Sequence, residues 1–183
     1  MKLLSAMVNR GLRPNTYCYN ILIRGYCENM KLDEAINLFQ EIPLRGLDPD
    51  VVTYSTLMSG YCLHGRTDEA MGLFNAMVDK GLRPDTYCYN TLIRGYCENM
   101  KLDEALHLFR EIPLRGLDPD VVTYSALMRG YCLQHRIYEA MKFLSAMVDR
   151  GLRPNTYCYN ILIKAYCENM QLDKAMHLLR EIP

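Results

Sequence analysis

The feature that most constrains the fold of this chain is an internal repeat with a period of 35 residues. Four complete units are present, at 16–50, 51–85, 86–120 and 121–155, with a half unit at 1–15 and a truncated unit at 156–183. A fixed period of this length is typical of solenoids, in which one unit alone cannot bury its apolar face. We therefore expect residues 1–183 to form a single repeat array in which successive units stack.

The apolar residues of each unit are spaced as in two amphipathic helices. In the unit 51–85, two stripes follow the spacing i, i+3, i+4, i+7: Tyr54, Leu57, Met58 and Tyr61, then Ala70, Leu73, Phe74 and Met77. Asp68 and Glu69 favour the first turn of the second helix, and Gly81 followed by Pro84 ends it. The pattern predicts an all-α fold, an α-solenoid superhelix of helix-turn-helix repeats with about eleven helices.

Composition excludes several classes of protein. The 21 Lys and Arg residues balance 21 Asp and Glu residues, so bulk charge does not draw the chain to polyanions, although a local basic stripe remains compatible with this count. No apolar run approaches the ~20 residues of a membrane span, so we expect no membrane partner. Residues 1–11 match 141–151 and are therefore repeat sequence; any import signal would lie upstream of them.

The eight cysteines follow the repeat and form no metal-binding pattern. Their spacings are 35 or 70 residues: Cys27, Cys62, Cys97, Cys132 and Cys167, then Cys18, Cys88 and Cys158. There is no CxxC pair, and the four histidines lie in unrelated contexts. We interpret the thiols as small apolar fillers in a reducing compartment, and we predict no disulfide, no metal site and no cofactor.

A second face of the first helix carries residues that the core does not explain. In the unit 51–85 they are Val52, Ser55 and Ser59. The equivalents are Tyr17, Asn20 and Arg24; Tyr87, Asn90 and Arg94; Val122, Ser125 and Arg129; and Tyr157, Asn160 and Lys164. A flat apolar side chain, a small hydrogen-bonding group and a cation are what single-stranded nucleic acid requires. The alternative is that Tyr or Val packs between repeats and that the cations are solvated surface.

A short stretch that occurs three times raises a question about the end of each unit. It is GLRPNTYCYN at 11–20 and 151–160, but GLRPDTYCYN at 81–90. The position after Pro holds Asn15, Asp50, Asp85, Asp120 or Asn155, each just before a helix. An N-cap explains an Asp or Asn there. It does not explain why copied units exchange one for the other.

These motifs resemble those of the pentatricopeptide repeat family. The opening VVTYS followed by LM and GYC, the second-helix pattern DEAM followed by LF, and the ending G-L-x-P-D all match its repeat across essentially the whole chain. The uniform period of 35 is similar to the P class, and within it to the fertility-restorer-like proteins of plant organelles. Tetratricopeptide repeats differ in having a period of about 34 and a W…LG…Y pattern, and this chain has no Trp.

The resemblance implies that each repeat binds one RNA base through two side chains. The implied pairs are Asn20 with Asp50, Ser55 with Asp85, Asn90 with Asp120, and Ser125 with Asn155. In the family Asn with Asp favours U, Ser with Asp favours G and Ser with Asn favours A, so the implied core target is 5′-UGUA-3′. The partners of Asn15 and Asn160 would lie upstream and downstream, which leaves the flanking bases undetermined. Adjacent repeats would enclose the bases between Tyr17, Val52, Tyr87, Val122 and Tyr157.

The backbone of the RNA would meet the cations of the same face. We expect phosphate contacts from Arg24, Arg94, Arg129 and Lys164. One turn further on, where members of the family often carry Lys, this chain has Glu28, Leu63, Glu98 and Leu133. We therefore expect a reduced affinity for the RNA backbone.

Three functions are compared on these grounds. The leading one is a sequence-specific single-stranded-RNA-binding module that acts in organellar RNA processing, stability or translation, in the mitochondrion ahead of the chloroplast. The alternative is a protein-interaction scaffold whose uncapped ends associate with each other as a homodimer or end to end; the same ends fit a piece of a longer array. We expect no enzyme, because the sequence has no nucleophile elbow, metal-spaced Cys/His set or Gly-rich phosphate loop.

Overall fold

The computed structural model describes residues 10–181 as ten α-helices with turns between them and no strand. The helices are α1 Thr16–Glu28, α2 Leu32–Leu44, α3 Val51–Leu63, α4 Thr67–Asp79, α5 Thr86–Glu98, α6 Leu102–Leu114, α7 Val121–Leu133, α8 Ile137–Asp149, α9 Thr156–Glu168 and α10 Leu172–Glu181. This confirms the predicted all-α fold of helix-turn-helix repeats. The eleventh predicted helix, and most of the half unit 1–15, lie outside the described residues.

The ends of the helices follow from the residues placed there. Each odd-numbered helix is preceded by Asp or Asn in an extended conformation, whose side chain accepts a hydrogen bond from the first turn. At the end of α4, Gly81 has a φ of +77°, and its amide donates to the carbonyl oxygen of Val78. The amide of Leu82 donates to the carbonyl oxygen of Met77, which completes a Schellman-type ending. The expected stop at Gly81 is therefore confirmed.

The chain divides into two compact units, residues 1–84 and 85–183. In the first, α1 packs against α2 and α3, and α3 packs against α4. Its core contains Tyr19, Ile23 and Leu57, together with Ile42 from α2. The predicted stripe of α3 is buried at Tyr54, Leu57 and Met58, and half-buried at Tyr61.

In the second unit the first helices of successive repeats stack, so that α5 packs on α7 and α7 on α9. The second helices α6, α8 and α10 each pack on the first helix of their own repeat. Phe109 meets Tyr124 edge to face, with the ring centroids 5.5 Å apart. With at most 13 residues, no helix of the described chain is long and apolar enough to span a bilayer.

A glycine allows the close approach of α5 and α7. A methyl group added at Gly130 would lie 2.6 Å from Sγ and 2.8 Å from Cβ of Cys97. Both contacts are far below normal van der Waals separation, and Cys97 is itself buried. By contrast, a methyl group at Gly72 in α4 would meet nothing within 4 Å.

We therefore predict opposite effects for two Gly→Ala substitutions. Gly130→Ala should lower the free energy of unfolding by about 1–2 kcal/mol, because helix stacking has to open around the new methyl group. Gly72→Ala should raise it by about 0.5–1 kcal/mol, because alanine is the better helix former and the site has room. Urea denaturation monitored by circular dichroism measures both. A Gly130→Ala variant as stable as the parent chain would contradict this account of the stacking.

Candidate nucleic-acid interface

The apolar residues of the second face are exposed. The residues of this face proposed to enclose the bases are exposed by 70% at Tyr17, 52% at Val52, 56% at Tyr87, 55% at Val122 and 50% at Tyr157. Residues that packed between repeats would be covered like Tyr54 or Tyr124. The alternative of core packing is therefore wrong for these residues, and they remain available to a ligand.

The small polar residues one turn further on are buried instead. Asn20, Ser55, Asn90 and Ser125 lie below 9% exposure, whereas Asn160 of the last described repeat is exposed. The hydroxyl of Ser55 donates to the carbonyl oxygen of Val52 at 3.1 Å, and that of Ser125 to Val122 at 3.0 Å. Since each serine proton is used within its own helix, the oxygen presents lone pairs and acts as an acceptor. The spacing of the residues did not indicate this burial.

The Asp or Asn at the end of each repeat caps the next helix through one atom only. In all five cases Oδ1 accepts a backbone N–H three residues further on, at 2.8–3.1 Å: Asn15, Asp50, Asp85, Asp120 and Asn155. The other terminal atom of the side chain is Oδ2 in Asp and Nδ2 in Asn. Capping therefore leaves free the atom by which the two residues differ.

The structure brings together two of the predicted base-reading pairs. Nδ2 of Asn90 donates to Oδ1 of Asp120 at 3.0 Å. Burial raises the pKa of Asp50, but hydrogen bonds from Thr53 and from the side chain of Asn20 outweigh it, so this pKa is lowered overall. The carboxylate of Asp50 is thus held in its charged, accepting form.

The other two pairs stay predictions. Ser125 and Asn155 bond to their own helices in the contacts described above. Ser55 belongs to the first compact unit and Asp85 to the second, so their pairing stays a prediction as well. Asn15 is exposed, as expected for a residue whose partner would lie upstream.

Two of the four cations predicted to contact phosphates are paired with carboxylates. Nη2 of Arg129 lies 3.6 Å from Oε1 of Glu98 in the preceding repeat, and Nζ of Lys164 lies 3.6 Å from Oε1 of Glu168. A hydrogen bond to the hydroxyl of Tyr157, with a further contribution from Glu98, raises the pKa of Arg129. Arg24 and Arg94 are exposed. The sequence placed Glu98 beside the cations but did not indicate which of them it binds.

A groove between α7 and α9 contains the three kinds of group that the second face carries: an aromatic ring, a small polar group and a cation. It has a volume of about 220 Å³ and is lined by Arg129, Cys132, Leu133, Tyr157, Asn160, Ile161, Lys164, Ala165 and Glu168. A flat ring, an amide and two cations, one of them paired with Glu168, thus surround an apolar floor. Aromatic rings and cations are the groups on which single-stranded nucleic acid stacks and binds.

Most of the cysteines lie in the packed interior: Cys27, Cys62, Cys88, Cys97 and Cys158 are buried, Cys18 and Cys132 are half-buried, and Cys167 is exposed. Cys132 also lines the groove. Burial raises the pKa of Cys88 and Cys97 to about 12, and that of Cys27 to about 11. Thiols with such values stay protonated and behave as small apolar groups. Within residues 10–181 no three His, Cys, Asp or Glu side chains are grouped so that they could hold a metal ion.

Comparison with known proteins accounts for the whole chain. The model of the PPR repeat family matches residues 1–28, 14–63, 49–98, 84–133 and 119–168, and the PPR repeat model matches 157–183. No curated protein matches the sequence. Together the matched segments cover residues 1–183 with repeats of one family.

Solved structures share this architecture. The crystal structure of the pentatricopeptide repeat protein PPR10 in complex with an 18-nt psaJ RNA element matches with a TM-score of 0.90 and 29% identity, over 97% of this chain and 26% of that one. PPR10 from maize matches with a TM-score of 0.74 and 30% identity, over 96% and 25%. The chain therefore spans about a quarter of the length of PPR10.

A third solved structure is similar to this chain in its fold only. The PPR domain of Arabidopsis thaliana protein-only RNase P 1, in complex with tRNA, matches with a TM-score of 0.65 and 16% identity. The match covers 87% of this chain and 84% of that one. Helix-turn-helix repeats of this kind are thus kept at low sequence identity.

Proposed function

Because the chain belongs to the pentatricopeptide repeat family, we propose that it binds single-stranded RNA in a sequence-specific manner, with one base per repeat and a core target of 5′-UGUA-3′. The observation that carries this proposal is the N-cap geometry, in which Oδ1 of each terminal Asp or Asn serves the helix. The remaining atom, an acceptor in Asp and a donor in Asn, is available to a base.

The Asn90 and Asp120 pair is complementary to uracil. Oδ1 of Asp120 takes the hydrogen bonds from Asn90 and Thr123, which leaves Oδ2 as an acceptor for the N3–H of uracil. Nδ2 of Asn90 uses one hydrogen toward Asp120 and retains one for a uracil carbonyl oxygen. Asn20 and Asp50 have the same residue types, which supports U at the first and third positions.

The serine pairs are complementary to purines. Ser55 offers an oxygen acceptor and Asp85 a free carboxylate oxygen, and together they suit the two donors of guanine, N1–H and the N2 amine. Ser125 offers an acceptor, while Nδ2 of Asn155 is a donor. That combination suits the N6 amine and the N1 acceptor of adenine.

The setting of this activity is part of the same proposal. PPR10 is solved in complex with an RNA element, which supports RNA as the ligand here. We place the protein in a plant organelle, the mitochondrion ahead of the chloroplast, in the processing, stability or translation of a transcript.

Exchanging one base-reading residue should change the preferred base. Ser55→Asn replaces an acceptor by an amide in the predicted pair with Asp85, so the variant should prefer UUUA, whereas the parent chain prefers UGUA. Each preference should be about tenfold, the size of one gained or lost hydrogen bond to a base. Fluorescence anisotropy titration with both RNAs measures the two preferences.

A matched substitution tests the other member of a base-reading pair, the Asp or Asn at the end of the repeat. Asn155→Asp should move the preference from UGUA to UGUG without affecting the second base. Gly72→Ala, at an exposed site in the second helix of its repeat and outside the base-reading positions, should change neither preference. Equal binding of all RNAs by the parent chain, lost uniformly as salt rises, would leave only nonspecific charge attraction and refute the proposed function.

The Glu98 carboxylate should oppose binding of the RNA backbone. Glu98→Gln releases Arg129 for a phosphate, so affinity should rise up to about fivefold, which corresponds to the ~1 kcal/mol of an exposed ion pair. The slope of log K against log salt should steepen by about 0.7, the value for one additional phosphate contact in a single strand.

Glu28→Gln is the matched control. Glu28 is the equivalent residue one pair of repeats earlier, and the position equivalent to Arg129 there is Ser59. The control removes the same charge but frees no cation, so its salt dependence should equal that of the parent chain. Identical salt slopes for both variants would show that the ion pair with Arg129 does not matter.

A second candidate function, a scaffold that self-associates through its ends, is favoured by one observation. Leu172, Met176 and Leu179 of α10 are half exposed, although Leu32 and Leu102, the equivalents of Leu172, are buried. Within the chain, the equivalent face of an earlier second helix packs against the following repeat. A second copy of the chain could cover the face of α10 in the same way.

Association through this face should depend on concentration. In sedimentation velocity at rising micromolar concentrations, the parent chain should form dimers or longer species, whereas Met176→Glu should weaken association at least about tenfold by burying a charge in the contact. Leu114→Glu, at an exposed leucine of α6, is the control and should leave association unchanged. A parent chain that is monomeric at every concentration would refute this candidate.

A further inference from the structure

We propose that Thr123 is a positioning residue that fixes the amide of Asn90 and thereby sets how strictly the third base is selected. This inference rests on the proposed RNA-binding function and extends it by one residue. Thr123 is the third residue of α7 and is fully buried, so it touches no base itself. It acts through Asn90.

The hydroxyl of Thr123 connects both members of the base-reading pair. Its oxygen accepts the backbone N–H of Asp120 at 3.0 Å. Its single proton has two acceptors, Oδ1 of Asn90 at 2.6 Å and Oδ1 of Asp120 at 3.0 Å, and the shorter contact is the one to Asn90. The amide of Asn90 is therefore held at both ends, with the oxygen on Thr123 and Nδ2 on Asp120. Only an N–H of Nδ2 is left for a base.

The equivalent contact in the first unit is different. The hydroxyl of Thr53 donates to Oδ1 of Asp50 at 2.8 Å, and Oδ1 of Asn20 is buried without a hydrogen-bond partner in the described structure. One hydroxyl proton has two acceptors within reach, and the two repeats use it differently. The amide of Asn20 is consequently held at Nδ2 alone.

The residue at this position correlates with the type of base-reading residue. Thr53 and Thr123 follow repeats that carry Asn20 and Asn90, whereas Cys follows the repeats that carry Ser55 and Ser125. A serine hydroxyl is already fixed by a carbonyl oxygen of its own helix, so it needs no external donor. Cys158 supplies only its backbone N–H to the cap, and a thiol is a weak donor. Threonine thus occurs after repeats that carry an amide, and in the described structure it donates to that amide at Asn90.

A fixed orientation of the Asn90 amide favours uracil over cytosine as the third base. In the held orientation Asn90 offers a donor and Asp120 an acceptor, which suits the carbonyl oxygen and N3–H of uracil. Cytosine has an unprotonated N3, which would face the Asp120 carboxylate, and an N4 amine, which requires an acceptor. Without the Thr123 hydroxyl, the amide of Asn90 can turn its oxygen toward that amine.

The test compares Thr123→Cys with Thr123→Ser. The chain itself holds Cys at the equivalent positions 88 and 158, so the scaffold accepts it, and circular dichroism confirms the fold of each variant. Anisotropy titrations use UGUA, UGCA and UAUA. Thr123→Cys should lower the preference for UGUA over UGCA roughly three- to tenfold, the range of one net hydrogen bond. The preference for UGUA over UAUA should stay unchanged, and Thr123→Ser should keep both.

Thr53→Cys provides an internal comparison at the first base. Because Oδ1 of Asn20 receives no hydrogen bond from Thr53, the preference for UGUA over CGUA should fall less than twofold, a smaller loss than for Thr123→Cys. A uniform loss of affinity for all RNAs in Thr123→Cys would mean a purely structural role and overturn the inference, as would an unchanged preference. If the parent chain discriminates no base at any position, the proposed function falls with it.

Discussion

The hydrogen bond that begins each odd-numbered helix is the interaction on which the rest depends. Asp or Asn accepts a backbone N–H through Oδ1, and the helix starts at the same place in every repeat. Asp and Asn cap about equally well, so their exchange leaves the scaffold unchanged while it replaces an outward acceptor by an outward donor. The variation within otherwise copied units is therefore compatible with a constant fold. In the proposed mode of binding, structure and selectivity would use different atoms of one side chain.

The features that could be predicted from the sequence are those set by local spacing. The period, the two apolar stripes and the stop at Gly81 each depend on residues within one unit, and the helices α3 and α4 follow them. The exposure of Tyr87 and Val122 could also be predicted, because neither residue belongs to the apolar stripe that packs into the core. A repeated sequence carries this information several times over, so local signals and the overall fold agree.

The features that could not be predicted join residues about 30 positions apart or break the periodicity. The Arg129–Glu98 ion pair and the Thr123–Asn90 hydrogen bond both connect adjacent repeats, and spacing alone does not say which neighbour a side chain meets. The periodicity is broken at Thr53 and Thr123, which occupy equivalent positions, although only Thr123 donates to an Asn of the preceding repeat. Positions equivalent in sequence therefore differ in their contacts.

The contacts of the cations and of the base-reading residues affect two properties separately, the general affinity for RNA and the selectivity for particular bases. A neutral net charge and a phosphate-seeking Arg129 held by Glu98 weaken the attraction that acts on every RNA alike. Stacking on Tyr and Val side chains tolerates every base, since each base has a flat face. In the proposed mode of binding, the remaining contribution would come from the base edges. Buried amides and hydroxyls would discriminate there, because an unmatched polar group shielded from water is costly. A weak general attraction therefore increases the share of binding that depends on sequence.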